Sequence, residues 1–356
     1  MELSRLRWAA AFFYALPLLA SVPPVQWVPA RWSWTDPKTL DLLAGSPINC
    51  LLLKSYTPAL VQRASERGIV TLAVLTPGPD PVDAAHQAVQ AKLAGVVLEG
   101  DFPDSLVAKV KDTLAGSQAV VVQLTSRNRM KLDGKDPIVG TYQGVWPGIQ
   151  VMENGAAKAA PSGNPWIDTN SGFIRSVRAW GVPMLWIGNL PPEKTIVTGQ
   201  RYAQVICDAE VFGARWVVAL DDDLAARLAR GDASALKDWK LITQYLKYFE
   251  EYRDWRSLSA YGQLAVVQDP KSGALLSGGI IDMIAAKHTP VRPVPLDRLS
   301  PEVLKGATMA VNVDPQAISP EQRSILQSFT RGGGTLLSGP PGWKDPVESN
   351  SITMDK

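Results

Sequence analysis

Two carboxylates, Glu99 and Asp101, follow directly on a short apolar run that begins at Gly95. A run of this kind, bounded by turn residues, predicts a buried parallel strand. In an α/β barrel the active-site face is built from the carboxyl ends of the strands, so both acids are expected at that face. An acidic pair at that face is where general acid and base chemistry is expected first, and hydrolysis of a glycosidic bond is one reaction that uses such a pair.

Two further acids are candidates for the second carboxyl group. Glu153 lies in a long loop rich in small residues, 152–165, and Asp221 is the first of three aspartates that end an apolar run. Glycosidases hold their carboxyl groups about 5 to 9.5 Å apart. We therefore predict Glu99 as the general acid, with Glu153 or Asp221 as its partner. A general acid needs a raised pKa, which apolar neighbours such as Phe102 would supply.

Each acid also has a structural interpretation. Glu99 and Asp101 are equally suited to capping the next helix or pairing with an arginine. The aspartates at 221–223 are suited to the N-terminus of a helix, and they lack the ligand spacing of a calcium loop.

Polar and aromatic side chains at the predicted strand ends complete the candidate site. Tryptophan rings stack on sugars or fill the core, and polar residues after a strand bind a ligand or form a surface loop. The predicted substrate-binding residues are Asp101, Arg127, Asn128, Trp146, Trp186 and Asn189.

Strand-like and helix-like runs alternate along the chain, which is the pattern of parallel β/α units. Eight strands result if the run at 31–34 is counted as the first, which predicts a (β/α)8 TIM-like barrel over residues 22–258. A long amphipathic run at 234–258 ends this domain. Four more short strands with intervening helices predict a smaller, flavodoxin-like α/β domain at 259–356, which the chain ends before completing.

The first 21 residues have the layout of a secretory signal peptide. Arg5 and Arg7 precede an apolar run, 8–20, that ends in small residues. Thirteen apolar residues are few for a membrane span of about 20, although an uncleaved anchor is the alternative. The pattern predicts export to the periplasm or beyond the cell, with no stable membrane span after cleavage.

Composition argues against several classes of function. Lysine and arginine number 36 against 34 aspartates and glutamates, without a basic block, so a nucleic-acid partner has no support. Two histidines provide neither a zinc-ligand spacing nor a Ser-His-Asp triad. No metal and no cofactor is predicted.

The C-terminal part of the chain resembles a known domain. Residues 297–306, 318–322 and 329–335 are similar to the glutamine-amidotransferase-like domain that follows the barrel in family 42 β-galactosidases, where it is the trimerisation-type domain. No cysteine follows Cys207, so a glutaminase nucleophile is missing. Many barrels of this clan place an asparagine before the acid, where this chain has Leu98.

The resemblance implies a glycoside-hydrolase-like TIM barrel that hydrolyses an oligo- or polysaccharide, and a homo-oligomer formed through the C-terminal domain. The alternative is a non-catalytic carbohydrate-binding or assembly protein with a degenerate barrel site.

Overall fold

The computed structural model describes residues 22–78, 80–146, 150–153, 156–159, 169–192, 195–269 and 278–338, with the backbone alone at 150–153, 156–159 and 196. The predicted signal peptide at 1–21 lies outside these ranges. Within them, no helix combines the length and the apolar character needed to cross a membrane.

Eight parallel strands form the predicted barrel. Their order in the sheet is their order in the chain, so each strand pairs with the next. The strands are β1 (Pro29–Trp32), β2 (Cys50–Leu53), β3 (Val70–Leu75), β4 (Gly95–Glu99), β5 (Val120–Thr125), β6 (Val139–Thr141), β9 (Leu185–Ile187) and β11 (Ala214–Trp216). The remaining strands of this part, β7 (Gln150–Glu153), β8 (Ala156–Ala159) and β10 (Thr195–Ile196), form a separate antiparallel sheet.

The barrel closes between its first and last strands. Ala30 and Val218 form a parallel bridge. The amide of Arg31 donates to the Val218 carbonyl at 2.7 Å, and the Val218 amide donates to the Pro29 carbonyl at 3.2 Å. The predicted fold class is confirmed, and the first strand, on which closure depends, lies at Pro29–Trp32, two residues before the predicted run at 31–34.

The barrel strands are apolar on both faces because one face fills the barrel and the other packs against helices. Leu52, Leu72 and Val97 belong to the interior cluster, which also holds Trp186. The alternate positions of the same strands, such as Val96 and Leu98, pack in a second cluster with the surrounding helices.

Among the described residues, seven α-helices accompany the barrel: α1 (Pro58–Glu66), α2 (Pro81–Gln90), α3 (Asp104–Leu114), α4 (Ser171–Ala179), α5 (Gly199–Glu210), α6 (Asp222–Ala229) and α7 (Ala233–Glu251). Thr57 and Asp80 cap α1 and α2 with side-chain oxygens, each before a proline at the first helical position. A 3-10 helix, Pro37–Leu43, precedes β2.

The second unit is the predicted small α/β sheet. Its strands β12 (Leu264–Gln268), β13 (Val291–Pro295), β14 (Met309–Asn312) and β15 (Thr335–Ser338) are parallel, in the order β13-β12-β14-β15. Its helices are α8 (Gly279–Ala285), α9 (Pro301–Leu304) and α10 (Pro320–Arg331). Two separate apolar clusters cover the two faces of the sheet, which is the doubly wound arrangement.

Helix α4 joins the two units. At its first turn, the Ser171 hydroxyl and the Gly172 amide both donate to a carboxylate oxygen of Asp282 in α8. Further along, Ser176 bonds the Gln268 side chain and Arg175 donates to the Val291 carbonyl at 2.6 Å. One helix therefore packs on the barrel and on the second sheet at once.

Gly95 offers a test of the barrel packing, because β4 and β5 approach closely there. A Cβ atom added at Gly95 would lie 2.0 Å from the Val120 carbonyl oxygen, which is backbone and cannot move aside. We expect Gly95→Ala to lower the free energy of unfolding by about 2–4 kcal/mol, as overpacking in a core does. Urea unfolding followed by circular dichroism measures the change.

The matched control is Gly116→Ala, since an added Cβ there meets nothing within 4 Å. An equal loss of stability in both variants would contradict this account of the β4–β5 contact.

Candidate functional site

An ion pair between β1 and β4 lies at the carboxyl end of the barrel. The two terminal nitrogens of Arg31 donate to the two carboxylate oxygens of Glu99, at 2.6 and 2.7 Å. The side chains are only 9% and 14% exposed. Such a bidentate pair fixes both groups in position and is stronger than a neutral hydrogen bond.

Asp101 is held on the neighbouring loop by Ser126, which follows β5. The Ser126 amide donates to one Asp101 oxygen at 2.8 Å and its hydroxyl donates to the other at 2.7 Å. The same hydroxyl lies 2.6 Å from the side-chain amide of Asn128. A hydroxyl has one proton, so both contacts are satisfied when the Asn128 amide presents its NH2 group. Asp101 and Asn128 are both exposed.

Tyr142 completes this cluster from the end of β6. Burial raises the pKa of its phenol, and the negative charges of Asp101 and Glu99 raise it further. The phenol of Tyr142 therefore stays protonated at neutral pH and is able to donate a hydrogen bond. We call Arg31, Glu99, Asp101, Ser126 and Tyr142, together with Asn128, the mouth cluster.

Arg127 is next to the mouth cluster in sequence, but its side chain belongs to a buried network. Its guanidinium donates to the Gln143 carbonyl at 3.0 Å and lies 4.1 Å over the Phe173 ring. Burial lowers the pKa of Arg127 to about 10, against the opposing charges of Asp282 and Asp208. This network braces the start of α4, since Asn170 links Arg127 to Asp208.

Asp221, the predicted second carboxylate, caps α6. One of its oxygens accepts from the Leu224 amide at 2.9 Å and the other from the Tyr202 hydroxyl at 2.8 Å. Tyr202 in turn accepts from the Asp221 amide at 2.7 Å. Both Asp221 oxygens thus have local partners, as the helix-terminus interpretation of this aspartate requires.

The barrel core and its loops hold three more of the predicted site residues. Trp186 is fully buried inside the barrel, and Trp146 is buried against Tyr202 and Trp216. The Asn189 amide follows β9 and donates to the Gly144 carbonyl at 2.9 Å. Glu153 ends β7, but its side chain lies outside what the structure describes. The structure thus brings together Glu99, Asp101 and Asn128 from the predicted set.

Sequence reasoning missed Arg31, Ser126 and Tyr142. Arg31 carried a local signal, because a charged residue within an otherwise apolar strand needs a buried partner. Ser126 and Tyr142 carried none, since their role depends on β4, β5 and β6 being neighbours.

The described residues hold no group of three histidine, cysteine, aspartate or glutamate side chains placed to bind a metal ion. Burial raises the pKa of both thiols, Cys50 and Cys207. Neither thiol lies in an environment that favours the reactive thiolate.

No protein-family model matches the chain, and neither does any curated protein. Among solved structures 14 chains match this one, and they include two β-galactosidases. A β-galactosidase from the psychrophilic Marinomonas ef1 is 18% identical, with 80% of this chain and 42% of that chain covered and a TM-score of 0.35. A cold-adapted β-galactosidase from Rahnella sp. R3 is 7% identical, with 87% and 70% covered and a TM-score of 0.53.

The Rahnella comparison shows that this chain shares the fold. The chain spans less than half the length of the Marinomonas protein.

The ion pair between Arg31 and Glu99 should contribute measurably to stability. In Glu99→Gln the side-chain NH2 cannot accept from Arg31, which leaves a buried guanidinium donor without a partner. We expect the free energy of unfolding to fall by about 1–3 kcal/mol. Glu66→Gln, which alters a half-exposed pair with Arg63, is the matched control and should cost less than about 0.5 kcal/mol. Chemical denaturation distinguishes the two; equal losses would contradict the role of the pair.

The titration of Tyr142 tests the electrostatics of the mouth cluster. The folded state favours the protonated phenol, so the free energy of unfolding should fall as pH rises from about 10, the unfolded pKa of tyrosine. With 8 tyrosines in the chain, the phenolate absorbance of Tyr142 is obtained as the difference between the parent and Tyr142→Phe. Asp101→Asn removes a nearby negative charge and should lower the pKa of Tyr142.

Asp104→Asn is the control for that titration, because Asp104 is paired with Lys131 on the surface and should leave Tyr142 unchanged. If the pKa of Tyr142 is the same in Asp101→Asn as in the parent, the two side chains are not electrostatically coupled.

Proposed function

We propose that this chain is a glycoside-hydrolase-like protein whose mouth cluster binds a carbohydrate. One observation carries the proposal: two carboxylates, Glu99 and Asp101, are held in place at the carboxyl end of the barrel, and the charges of both raise the pKa of Tyr142. Binding sites of α/β barrels lie at this end. The fold shared with the Rahnella β-galactosidase supports a sugar as the ligand.

The geometry of the mouth cluster suits a ligand rich in hydroxyl groups. Each carboxylate oxygen has two lone pairs, and the observed bonds to Arg31 and Ser126 occupy one lone pair each. The remaining lone pairs are acceptors for sugar hydroxyls, while Tyr142 supplies a donor. Because these groups are already held in place, binding costs little side-chain entropy.

Hydrolysis is the second candidate function, and Glu153 is the residue that favours it. Glu153 is the last residue of β7, the strand that follows barrel strand β6 in the chain. A working pair would need Glu153 within about 5 to 9.5 Å of Glu99. Binding without hydrolysis fits the geometry of Glu99 better, since Arg31 engages both of its oxygens. Export through a signal at 1–21 and oligomer formation through the second unit belong to the same proposal.

Titration calorimetry with galactose-containing and other oligosaccharides tests binding. Tyr142→Phe and Asn128→Ala each remove one hydrogen-bonding group from the mouth cluster, so each should weaken binding about 3- to 10-fold. Glu66→Gln on α1 is the control and should bind as the parent does. Failure of the parent protein to bind any of these sugars overturns the proposal.

Aryl glycosides distinguish the two candidate functions. Turnover that disappears in both Glu99→Gln and Glu153→Gln would establish hydrolysis with these residues as the pair. Sugar binding without turnover in the parent would establish the binding function.

A further inference from the structure

A groove lies where the barrel meets the second unit, away from the mouth cluster. Four arginines line it: Arg175 and Arg178 from α4, Arg292 from β13, and Arg298 from the segment that follows β13. The turn before β11 forms another wall, so the groove is near the amino ends of the barrel strands, opposite the mouth. The cavity has a volume of about 710 Å³. We call it the arginine groove.

The charge of the arginine groove is not balanced by its own lining. All four guanidiniums donate to backbone carbonyls, and no ion pair among the described residues includes any of them. No described aspartate or glutamate lines the cavity. Carbonyl groups satisfy donors but carry no net charge, so four positive charges face one space.

Neighbouring charges do not change this conclusion. Arg256 lies beside Arg178 but is paired with Glu210 and Glu250, which also contact Arg215, so that cluster is neutral as a whole. Burial lowers the pKa of Arg178, and the charge of Arg256 lowers it further.

Near Arg175, the carboxylate of Asp282 opposes the effect of burial on the arginine pKa. One oxygen of Asp282 is already engaged by Ser171 and Gly172.

Two donors of Arg292 have no hydrogen-bond partner among the described residues. Its Nη1 donates to the Lys305 carbonyl at 3.2 Å, whereas Nε and Nη2 are shielded from water and make no hydrogen bond within that part of the chain. Nε and one terminal nitrogen form a side of the guanidinium that matches the two oxygens of a carboxylate or phosphate. Rotation about the last side-chain torsions of Arg292 would turn this pair toward the groove that the residue lines.

The walls between the arginines are largely apolar. Phe212 and Leu258 line the cavity, and the Trp255 ring, 51% exposed, stacks on Tyr252 at its rim. A cleft with low-dielectric walls and charge of one sign concentrates its field and attracts counter-ions. Its volume is within the range of pockets for small molecules, about 300–1,000 Å³.

We propose that the arginine groove binds a small, multiply charged anion carrying two or more phosphate or carboxylate groups. Several guanidiniums around one cavity suit several anionic groups on one molecule, and the unpartnered edge of Arg292 receives one of them. This site is independent of the sugar proposed at the mouth, because it lies on other elements at the opposite end of the barrel.

Titration calorimetry on the full chain tests the proposal with pyrophosphate and citrate as probes. At an ionic strength of about 20 mM we expect saturable binding of at least one probe, weakened at about 200 mM because salt screens the charges. Stronger binding of pyrophosphate assigns a phosphate ligand, and stronger binding of citrate assigns a carboxylate ligand. No binding of either probe at low salt overturns the proposal.

Arg292→Gln should lower the affinity for the probe by about tenfold or more, since a charge-assisted bidentate contact is lost. Arg63→Gln, an exposed arginine on α1, is the control and should change affinity less than twofold, about the limit for a remote charge. Equal losses in the two variants would indicate non-specific attraction and overturn the site.

A purely structural role for Arg292 gives a different result. The thermal midpoint of Arg292→Gln would then fall while its affinity for the probe stayed at the parent value, which also overturns the proposal. If Arg292→Gln does not fold, Arg298→Gln tests the same groove at an exposed position. This variant should also lower the affinity for the probe. Sugar binding at the mouth should be unchanged in Arg298→Gln, so the two proposals fail separately.

Discussion

The mouth of this barrel depends on Arg31. Its backbone amide bonds Val218 and so helps to close the barrel between the first and last strands. Its side chain reaches Glu99, which is 68 residues away in sequence and three strands away in the sheet. Arg31 thus both helps to close the sheet and holds the carboxylate of Glu99 in place. An arginine buried to this degree needs such a partner, since an unpaired guanidinium in a low-dielectric interior is costly.

The backbone turn after Glu99 directs the side chains of Glu99 and Asp101 to different partners. Gly100 has a positive φ of 122°, and its amide continues the ladder by donating to the Leu124 carbonyl. An added Cβ at Gly100 would meet the ring of Pro77 at 2.7 Å. This turn lets Glu99 point toward Arg31 inside the barrel while Asp101 reaches Ser126 on the next loop. The two carboxylates therefore have separate fixed partners, Arg31 for Glu99 and Ser126 for Asp101.

Alternation of strands and helices was sufficient to predict the barrel and the second sheet, because parallel β/α units bury apolar runs of fixed length. The cap role of Asp221 was also among the sequence-based interpretations, since an aspartate three residues before the bonded amide is a local signal. The burial of Trp146 and Trp186 was not decidable locally, because one ring serves equally in a core or on a sugar. The pairing of Arg31 with Glu99 needed the closed barrel itself.

Net charge hides how charge is distributed in this molecule. A formal charge of +2 describes a chain with acidic side chains at one end of its barrel and, near the other end, four arginines that form no ion pair with the described residues. Helix α4 connects the two regions: Asn170, at its N-cap position, belongs to the network behind the mouth, and its last turn carries Arg178. Helix α4 also bonds β13 and α8, through Arg175 to the Val291 carbonyl and through Ser171 and Gly172 to Asp282. The contact between the barrel and the second sheet therefore includes charged and polar side chains as well as apolar ones.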